Sequence, residues 1–382
     1  MRVVLLGASG IFGSRLAALL ANIPGLNVVL AGRDISALTA LAETLPVVAA
    51  TTIELRHIDL EAPTHGASLL EAAPDVLIDT CGPFQNRDYR LPKLAIEHRF
   101  HYIDLADAPD FVAGISMLDA AARAADVLIV SGASSVPALS SAVIDGFASE
   151  FDVLKEIEIG ISPGNRTKRG LASIRSVFSG VGKPHAQFER GALRSVPGWS
   201  GLHSHRYAAP VGRRWLAYCA VPDPLLLPQR YPGLEQLNFR AGVELRRMHF
   251  GLWLGAWLVR LRLLSSLTPF AQFAKRTSER WLTAGSDAGA MHVRLRGIDR
   301  QGAAHELLWQ LIAENGDGPF VPAAAAATLV RLLAQGRINV RGAQPCVGLV
   351  PLDEIRLTLA GRAIRFLHAS STQLASRIRN PT

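Results

Sequence analysis

A chain of 382 residues is longer than one hydrophobic core usually supports, so two domains are expected. Its three cysteines, Cys81, Cys219 and Cys346, have neither paired nor metal-binding spacing, which argues against a disulfide framework and favours a cytoplasmic location. The net charge is +8, but the basic residues are scattered, which disfavours nucleic acid as a partner. An anionic cofactor or a membrane surface accounts for the charge equally well.

The chain opens with an apolar strand over residues 1–6, a glycine turn over residues 7–13 and an apolar helix that continues to Leu20. The apolar opening is too short for a signal peptide, so none is expected. Phosphate groups need backbone N–H donors at close range and the positive end of a helix. Glycines at positions 7, 10 and 13 allow the tight turn, the close approach and the packing of helix on strand. This stretch predicts a dinucleotide-binding turn, and the alternative is an ordinary strand-to-helix turn with chance glycines.

The next part of the chain alternates strands and helices. Strands are predicted at residues 27–30, 53–58, 75–79, 102–105 and 127–130, and helices at residues 36–45, 91–98 and 117–125. Short apolar strands separated by helices predict the α/β class with a Rossmann-type, doubly wound parallel sheet. Ligands of such sheets lie at the carboxyl ends of the strands, so the residues after each strand are the candidates for the site.

Arg33 follows the second strand, where an NAD site would have a carboxylate for the ribose 2′-hydroxyl. A guanidinium there suits a 2′-phosphate and predicts NADP as the cofactor, unless Arg33 only begins a solvated helix. Asp59 follows the third strand and is predicted either to contact the adenine or to cap a turn. Gly82 and Pro83 follow the fourth strand in a rigid turn, which is predicted to lie beside the nicotinamide ribose. Cys81 is expected to be a structural thiol. The predicted cofactor contacts are Gly7, Ala8, Ser9, Gly10, Ile11, Phe12, Gly13, Arg33, Asp59, Gly82 and Pro83.

Several segments together resemble the saccharopine dehydrogenase-like oxidoreductases. They are residues 7–13, 31–33, 81–84, 101–105, 131–137, 317–322 and 341–345. The resemblance implies a Rossmann domain that binds NAD(P), an α+β domain for substrate and homodimer contacts, and a late helix over residues 322–335 that returns to the first domain. The expected boundaries are 1–150, 151–318, 319–345 and 346–382, the last holding C-terminal strands and a tail.

The chain departs from the family pattern at two places. Ser134 stands where many members have an aspartate, and Asp107 lies in a segment that often reads Asp-Leu-Thr-Gly-Glu. An amino-acid or saccharopine chemistry is therefore less expected than a hydride transfer to a carbonyl, imine or activated alkene. Tyr102, Asp107, Ser134 or water would move the proton. Some family members are trans-acting enoyl reductases on lipid or polyketide chains, and a non-catalytic NADP-binding or peripheral membrane protein is a further alternative.

The second half of the chain predicts a mixed sheet. Apolar and polar residues alternate over 155–161, 291–295, 305–313, 355–359 and 363–367, which predicts strands. His203 and His205 have no third ligand nearby in the sequence and lie in a stretch expected to be irregular, so no metal site is predicted.

Residues 249–264 combine two tryptophans with arginines, and the stretch over residues 271–282 follows them. The uncharged run is too short to span a bilayer. It predicts an interfacial helix at a membrane, a lid over an apolar acyl substrate, or a buried or dimer-interface helix. A small molecule is the expected substrate, and membrane association is one of the expected locations.

Overall fold

The computed structural model describes residues 1–62 and 65–371. These residues divide into two compact units, one formed by Met1–Leu139 with Pro319–Leu359 and the other by Ser140–Gly318 with the described chain from Ala360 onward. The boundaries expected from the sequence fall after residues 150, 318 and 345, and the part of the predicted tail beyond residue 371 lies outside the described residues.

The chain up to residue 139 alternates strands with helices. Its elements are β1 (Arg2–Leu6), α1 (Ile11–Leu20), β2 (Asn27–Gly32), α2 (Ile35–Thr44), β3 (Thr52–His57), α3 (His65–Glu71), β4 (Val76–Asp79), α4 (Arg90–Glu97), β5 (His101–Asp104), α5 (Pro109–Gly114), α6 (Asp119–Ala124) and β6 (Leu128–Ser131). All the strands and helices predicted for this part are confirmed within a few residues, except that the helix predicted at 117–125 is shared between a 3₁₀ turn at Ile115–Leu118 and α6.

Residues 140–318 contain longer strands. Their elements are α7 (Ser140–Phe147), β7 (Val153–Ser162), α8 (Leu171–Gly180), β8 (Pro184–Glu189), β9 (Ala192–Pro197), β10 (His203–Arg206), β11 (Arg213–Tyr218), α9 (Asp223–Leu226), β12 (Gln236–Ala241), α10 (Arg246–Arg260), α11 (Ala271–Glu279), β13 (Gly289–Ile298) and β14 (Ala304–Ala313). The chain then continues with α12 (Val321–Ala334), β15 (Gly342–Pro345), α13 (Leu352–Thr358) and β16 (Ile364–Ser370).

The first unit is built on a seven-stranded sheet with the order β15-β6-β5-β4-β1-β2-β3. Each pair of neighbours is parallel, which confirms the predicted Rossmann-type sheet. The strand order reverses direction between β1 and β4, and ligands of open α/β sheets bind at such a switch point. The late helix α12 packs against α1, and β15 adds an edge strand that the sequence analysis did not predict.

The second unit contains a nine-stranded mixed sheet, whose main path is β10-β11-β12-β7-β13-β14-β16. β7 pairs parallel with β12 and antiparallel with β13, so the predicted mixed sheet is confirmed. The alternation predicted over 155–161 is visible in the burial, since Ile157 and Ile159 are buried while Glu156 and Glu158 are half-buried.

The strand predicted over 355–359 is wrong, because residues 355–358 belong to α13 and Leu359 is its C-cap. Ile355, Leu357 and Leu359 alternate with polar residues, but Leu357 is 62% exposed. The buried residues are Leu352, Ile355 and Leu359, whose spacing of three and four is that of one helix face. Two acidic residues in the first turn favour the helix further, since they face its positive end.

The part of the segment 249–264 up to Arg260 lies in α10, a helix of 15 residues, and residues 261–264 follow the end of this helix. None of the helices within residues 1–62 and 65–371 has the length and apolar character needed to cross a bilayer.

Candidate functional site

The turn between β1 and α1 brings backbone amides to the switch point of the first sheet. Gly7 has a φ of +74°, and the N–H groups of Gly7 and Ala8 both donate to the carbonyl of Ala31 on β2, at 2.9 and 3.2 Å. Gly10 precedes α1, whose first turn has no side-chain cap and no acidic residue. The first N–H groups of α1 are therefore left for a ligand, and they lie at the positive end of the helix.

The glycines of this turn are required by close contacts. A Cβ atom placed on Gly13 would lie 2.1 Å from the carbonyl oxygen of Gly7, and one on Gly7 would lie 2.8 Å from Thr80 Oγ1. Ala8 is buried, Ile11 and Phe12 are half-buried, and Ser9 and Gly10 form the exposed part of the turn. This arrangement fits a diphosphate, since side chains are absent from the places where it must approach.

Arg33 lies directly after β2 and is exposed. The carboxylate beside it, Asp34, is occupied as the N-cap of α2, where it accepts hydrogen bonds from Ala37 N (3.0 Å) and Ser36 Oγ (2.6 Å). These bonds lower the pKa of Asp34. The Arg33 guanidinium therefore remains available to a ligand beside the glycine turn, while the Asp34 carboxylate is used to cap α2.

Asp59, predicted either to contact adenine or to cap a turn, is placed after β3. Its Oδ1 accepts a hydrogen bond of 3.1 Å from Glu61 N, which is the turn-capping arrangement.

Two carboxyl groups are completely buried at the ends of the neighbouring strands β4 and β5. Asp79 and Asp104 are partners in the register of the two strands, and both are 0% exposed. Oδ1 of Asp104 accepts hydrogen bonds from Ala106 N (3.0 Å), Ser131 Oγ (2.9 Å) and Gly132 N (2.8 Å), whereas its Oδ2 has no hydrogen-bond partner among the described residues. The hydrogen bonds of Asp104 thus connect the loop that follows β5 to the loop that follows β6.

Burial raises the pKa of Asp104 to about 7. Since its unfolded pKa is about 3.9, the stabilisation from the protonated group is present below that value and is lost as the pH rises through 7. We expect Asp104→Asn to flatten the decline in unfolding free energy between pH 5 and 7, by at most about 1.4 kcal/mol per pH unit. Urea unfolding at several pH values measures this slope. The exposed Asp110→Asn is the control, and an equal slope for the parent and Asp104→Asn would contradict the prediction.

Asp79 is neutralised by Arg87 from the loop that follows β4. Arg87 Nη1 lies 2.9 Å from Asp79 Oδ2 and donates to the Cys81 carbonyl at 2.8 Å, and its guanidinium lies over the Phe84 ring at 5.1 Å. Burial raises the pKa of Asp79, and the charge of Arg87 opposes this shift. The pair fixes the loop that carries Gly82 and Pro83, which are half-buried and exposed respectively.

Cys81 remains a thiol, because burial and the nearby Asp79 raise its pKa. This agrees with the expected structural role.

The three candidates for proton transfer have different surroundings. Tyr102 is 1% exposed in the core, its hydroxyl lies 3.5 Å from Asp79 Oδ2, and burial raises its pKa well above the usual value. Asp107 is exposed on the loop after β5, where Gln85 Nε2 donates to it at 3.4 Å, and Ser134 is half-buried on the loop after β6. These two loops are joined by a hydrogen bond of 2.8 Å from Ala133 N to the carbonyl of Asp104. The structure therefore brings Asp107 and Ser134 to one edge of the sheet and places Tyr102 inside it.

Sequence reasoning missed Asp79, Arg87 and Asp104. A signal for the two acids was present, because each ends a short strand at the carboxyl edge of the sheet and directly follows apolar residues. No comparable signal marked Arg87, which lies in a loop.

The second unit brings Glu158 close to His203 and His205, which lie on β10 rather than in an irregular stretch. One ligand atom from each residue lies within 4.8 Å of the others, a spacing that a metal ion could use. However, Gln310 Oε1 accepts from Ala208 N (3.0 Å), which turns its NH2 group toward His205 Nε2 at 3.3 Å. His205 then accepts at Nε2 and carries its proton on Nδ1, so we interpret the group as a hydrogen-bonded cluster.

The sequence of residues 3–130 matches the model of the saccharopine dehydrogenase NADP binding domain. No protein of curated function matches the chain in sequence. In three dimensions the chain is similar to apo histidine-tagged saccharopine dehydrogenase (L-Glu forming) from Saccharomyces cerevisiae, with 13% identity, a TM-score of 0.67 and coverage of 96% of this chain and 99% of that one. At this identity the similarity establishes a shared fold.

Two other solved structures have lower TM-scores. A meso-dapdh mutant with DAP from Clostridium tetani E88 has 13% identity, a TM-score of 0.43 and coverage of 93% of this chain and 95% of that one. A probable dehydrogenase from Thermotoga maritima has 9% identity, a TM-score of 0.44 and coverage of 94% and 93%. Residues 3–130 thus form an NADP-binding domain of the saccharopine dehydrogenase type, and the whole chain shares the fold of the saccharopine dehydrogenase from Saccharomyces cerevisiae.

Proposed function

We propose that the protein is an NADP-dependent oxidoreductase that acts on a carbonyl, an imine or an activated alkene. The observation that carries the choice of NADP is Arg33, an exposed cation directly after β2 whose neighbouring carboxylate is used as a helix cap. A guanidinium suits a 2′-phosphate, whereas a free carboxylate at this place would favour NAD.

The residues around the glycine turn would hold the cofactor. The N–H groups at the start of α1 would bind the diphosphate, Arg33 the 2′-phosphate, and the loop of Gly82 and Pro83 would lie beside the nicotinamide ribose. When bound, NADPH supplies a hydride. Asp107 and Ser134 are the side chains we propose for proton transfer to the substrate, since both lie on the loops at the carboxyl edge. Tyr102 is a weaker candidate because its hydroxyl is buried against Asp79.

Arg33→Ala tests the choice of cofactor. Removing a charge-assisted contact to the 2′-phosphate is expected to cost about 1.5–3 kcal/mol, which raises the Kd for NADPH roughly 10- to 100-fold. The Kd for NADH should remain close to that of the parent protein, because NADH lacks this phosphate. Fluorescence titration with both nucleotides measures the ratio, and Lys93→Ala removes an exposed cation on α4 as the matched control. An equal loss of affinity for NADH and NADPH would contradict the assignment.

Turnover separates an enzyme from a protein that only binds NADPH. The purified chain should oxidise NADPH with one substrate class among keto acids, imines and enoyl thioesters. Binding of NADPH without oxidation across these classes would favour the alternative, a non-catalytic NADP-binding protein.

A trans-acting enoyl reductase on lipid or polyketide chains is the second candidate. It is favoured by apolar side chains that α10 leaves exposed, such as Leu254, which is 57% exposed. Enoyl thioesters of increasing chain length test it, because burial of each further CH2 is expected to contribute about 0.8 kcal/mol to binding if the site takes an acyl chain.

A further inference from the structure

The segment from α10 through α11 and the residues just after it, residues 246–282, is here named the 246–282 surface. Thirteen large apolar side chains are exposed within the described residues, and six of them lie in this surface. They are Leu254 (57%), Trp257 (38%), Leu261 (62%), Leu263 (67%), Phe270 (47%) and Phe273 (71%). Single exposed apolar residues are ordinary, but such a concentration marks an interaction surface.

The exposure is a property of one helix face. Leu254, Trp257 and Leu261 are separated by three and four residues, so they share a face of α10 and its C-terminal end. The opposite face carries the buried Gly255 and Ala256. Ala256 belongs to an apolar cluster with Ile174, Phe178, Val181, Trp199, Ala217, Leu267 and Ala271. The helix is therefore anchored to its own unit while its outer apolar face remains in solvent.

Basic residues are spread along the whole chain, but acidic residues are scarce in this surface, which therefore carries most of the net charge of the protein. Residues 246–282 contain seven arginines or lysines and one acidic residue, Glu279, which gives +6 of the total of +8. The guanidinium of Arg260 lies 4.2 Å from the centre of the Trp257 ring, and that of Arg247 lies 4.1 Å from the Trp281 ring. Apolar and aromatic side chains flanked by arginines are typical of helices that lie in a membrane interface.

We propose that the 246–282 surface docks on an anionic lipid bilayer, with Trp257, Leu261 and Phe273 among the side chains that enter the interface. Anionic lipids would neutralise the seven cations, since basic residues near such a surface are attracted to it. A second copy of the chain is a poorer occupant. A two-fold symmetric contact through this surface would bring +6 against +6, so the expected homodimer would use another face.

Co-sedimentation of the full chain with vesicles tests the proposal. We expect binding to vesicles of phosphatidylcholine with phosphatidylserine, weaker binding to phosphatidylcholine alone, and weakening by salt. Trp257→Ser with Leu261→Ser should reduce partitioning at least about tenfold, since two large apolar side chains would be lost from the interface. Met117→Ser with Leu193→Ser removes two side chains that are 72% and 53% exposed elsewhere, and this control pair should bind like the parent.

Circular dichroism and the Kd for NADPH verify that the variants are folded. A lack of binding to phosphatidylserine vesicles, or equal binding of both double variants, would overturn the proposal. So would a change from dimer to monomer by light scattering in the Trp257→Ser, Leu261→Ser variant without any vesicle binding, because the surface would then join two copies. None of these results alters the NADPH titration, so a failure of membrane docking and a failure of the proposed function are distinguishable.

Discussion

Arg87→Met is expected to lower the free energy of unfolding by about 3–5 kcal/mol, because it leaves a buried carboxylate without its counter-ion. Asp79 is 1% exposed at its side chain, and Arg87 is 13% exposed. The variant keeps much of the length of the side chain but removes both the ion pair of 2.9 Å and the hydrogen bond to the Cys81 carbonyl. Chemical denaturation at neutral pH measures the loss.

The loss of stability in Arg87→Met should depend on pH, because Asp79 titrates. Burial already raises the pKa of Asp79, and removal of Arg87 raises it further. Stability that depends on the protonated carboxyl is present below the unfolded pKa near 3.9 and is lost as the pH rises through the folded value. The deficit of Arg87→Met should therefore be smaller at pH 5 than at pH 8.

A double variant distinguishes the stability lost through the unpaired buried charge from the stability lost through altered packing. In Asp79→Asn with Arg87→Met no charge remains, and the amide oxygen of the new side chain would still accept from Cys81 N, so part of the stability should return. Arg90→Met removes a guanidinium that is 41% exposed and should change stability by less than about 0.5 kcal/mol. A double variant no more stable than Arg87→Met would assign the loss to packing against Phe84 instead.

The parallel sheet could be predicted from the sequence because its signal is local. β1, β2 and β4 are short apolar runs followed by helices, and each is buried on both faces, so the run itself identifies the strand. β15 was missed for the opposite reason. It has four residues, two of them Gly342 and Pro345, and only its pairing with β6 makes it a strand.

The polar part of the site depends on contacts between distant segments. Asp104 accepts hydrogen bonds from Ser131 and Gly132, which are 27 and 28 residues away. Glu158 Oε1 lies 3.5 Å from Nε2 of His203, which is on another strand. No periodicity in the sequence encodes such pairs. The glycine turn is different, because the dinucleotide is expected to bind one continuous segment of the chain. The spacing of the glycines within that segment is visible in the sequence itself.

Substitution of Gly13 by alanine is expected to cause the largest loss of cofactor binding. The added Cβ would lie 2.1 Å from the carbonyl oxygen of Gly7 and 3.0 Å from Ala8 Cα, both of which are backbone atoms that cannot rotate away. The start of α1 must then move off the turn by about an ångström or more. We expect destabilisation of about 1–3 kcal/mol and a loss of NADPH affinity of at least about 100-fold, because the diphosphate needs the turn and the helix end together.

Gly251→Ala is the matched control, since Gly251 lies in a helix and a Cβ atom there meets nothing within 4 Å. Alanine in place of an unconstrained helical glycine should raise stability by about 0.5–1 kcal/mol and leave the Kd for NADPH unchanged. The two glycine variants are therefore expected to differ in the sign of their effect on thermal unfolding. If Gly13→Ala retained the parent affinity in a nucleotide titration, the contact between the turn and α1 would not determine the diphosphate site, and the proposed binding geometry would be wrong.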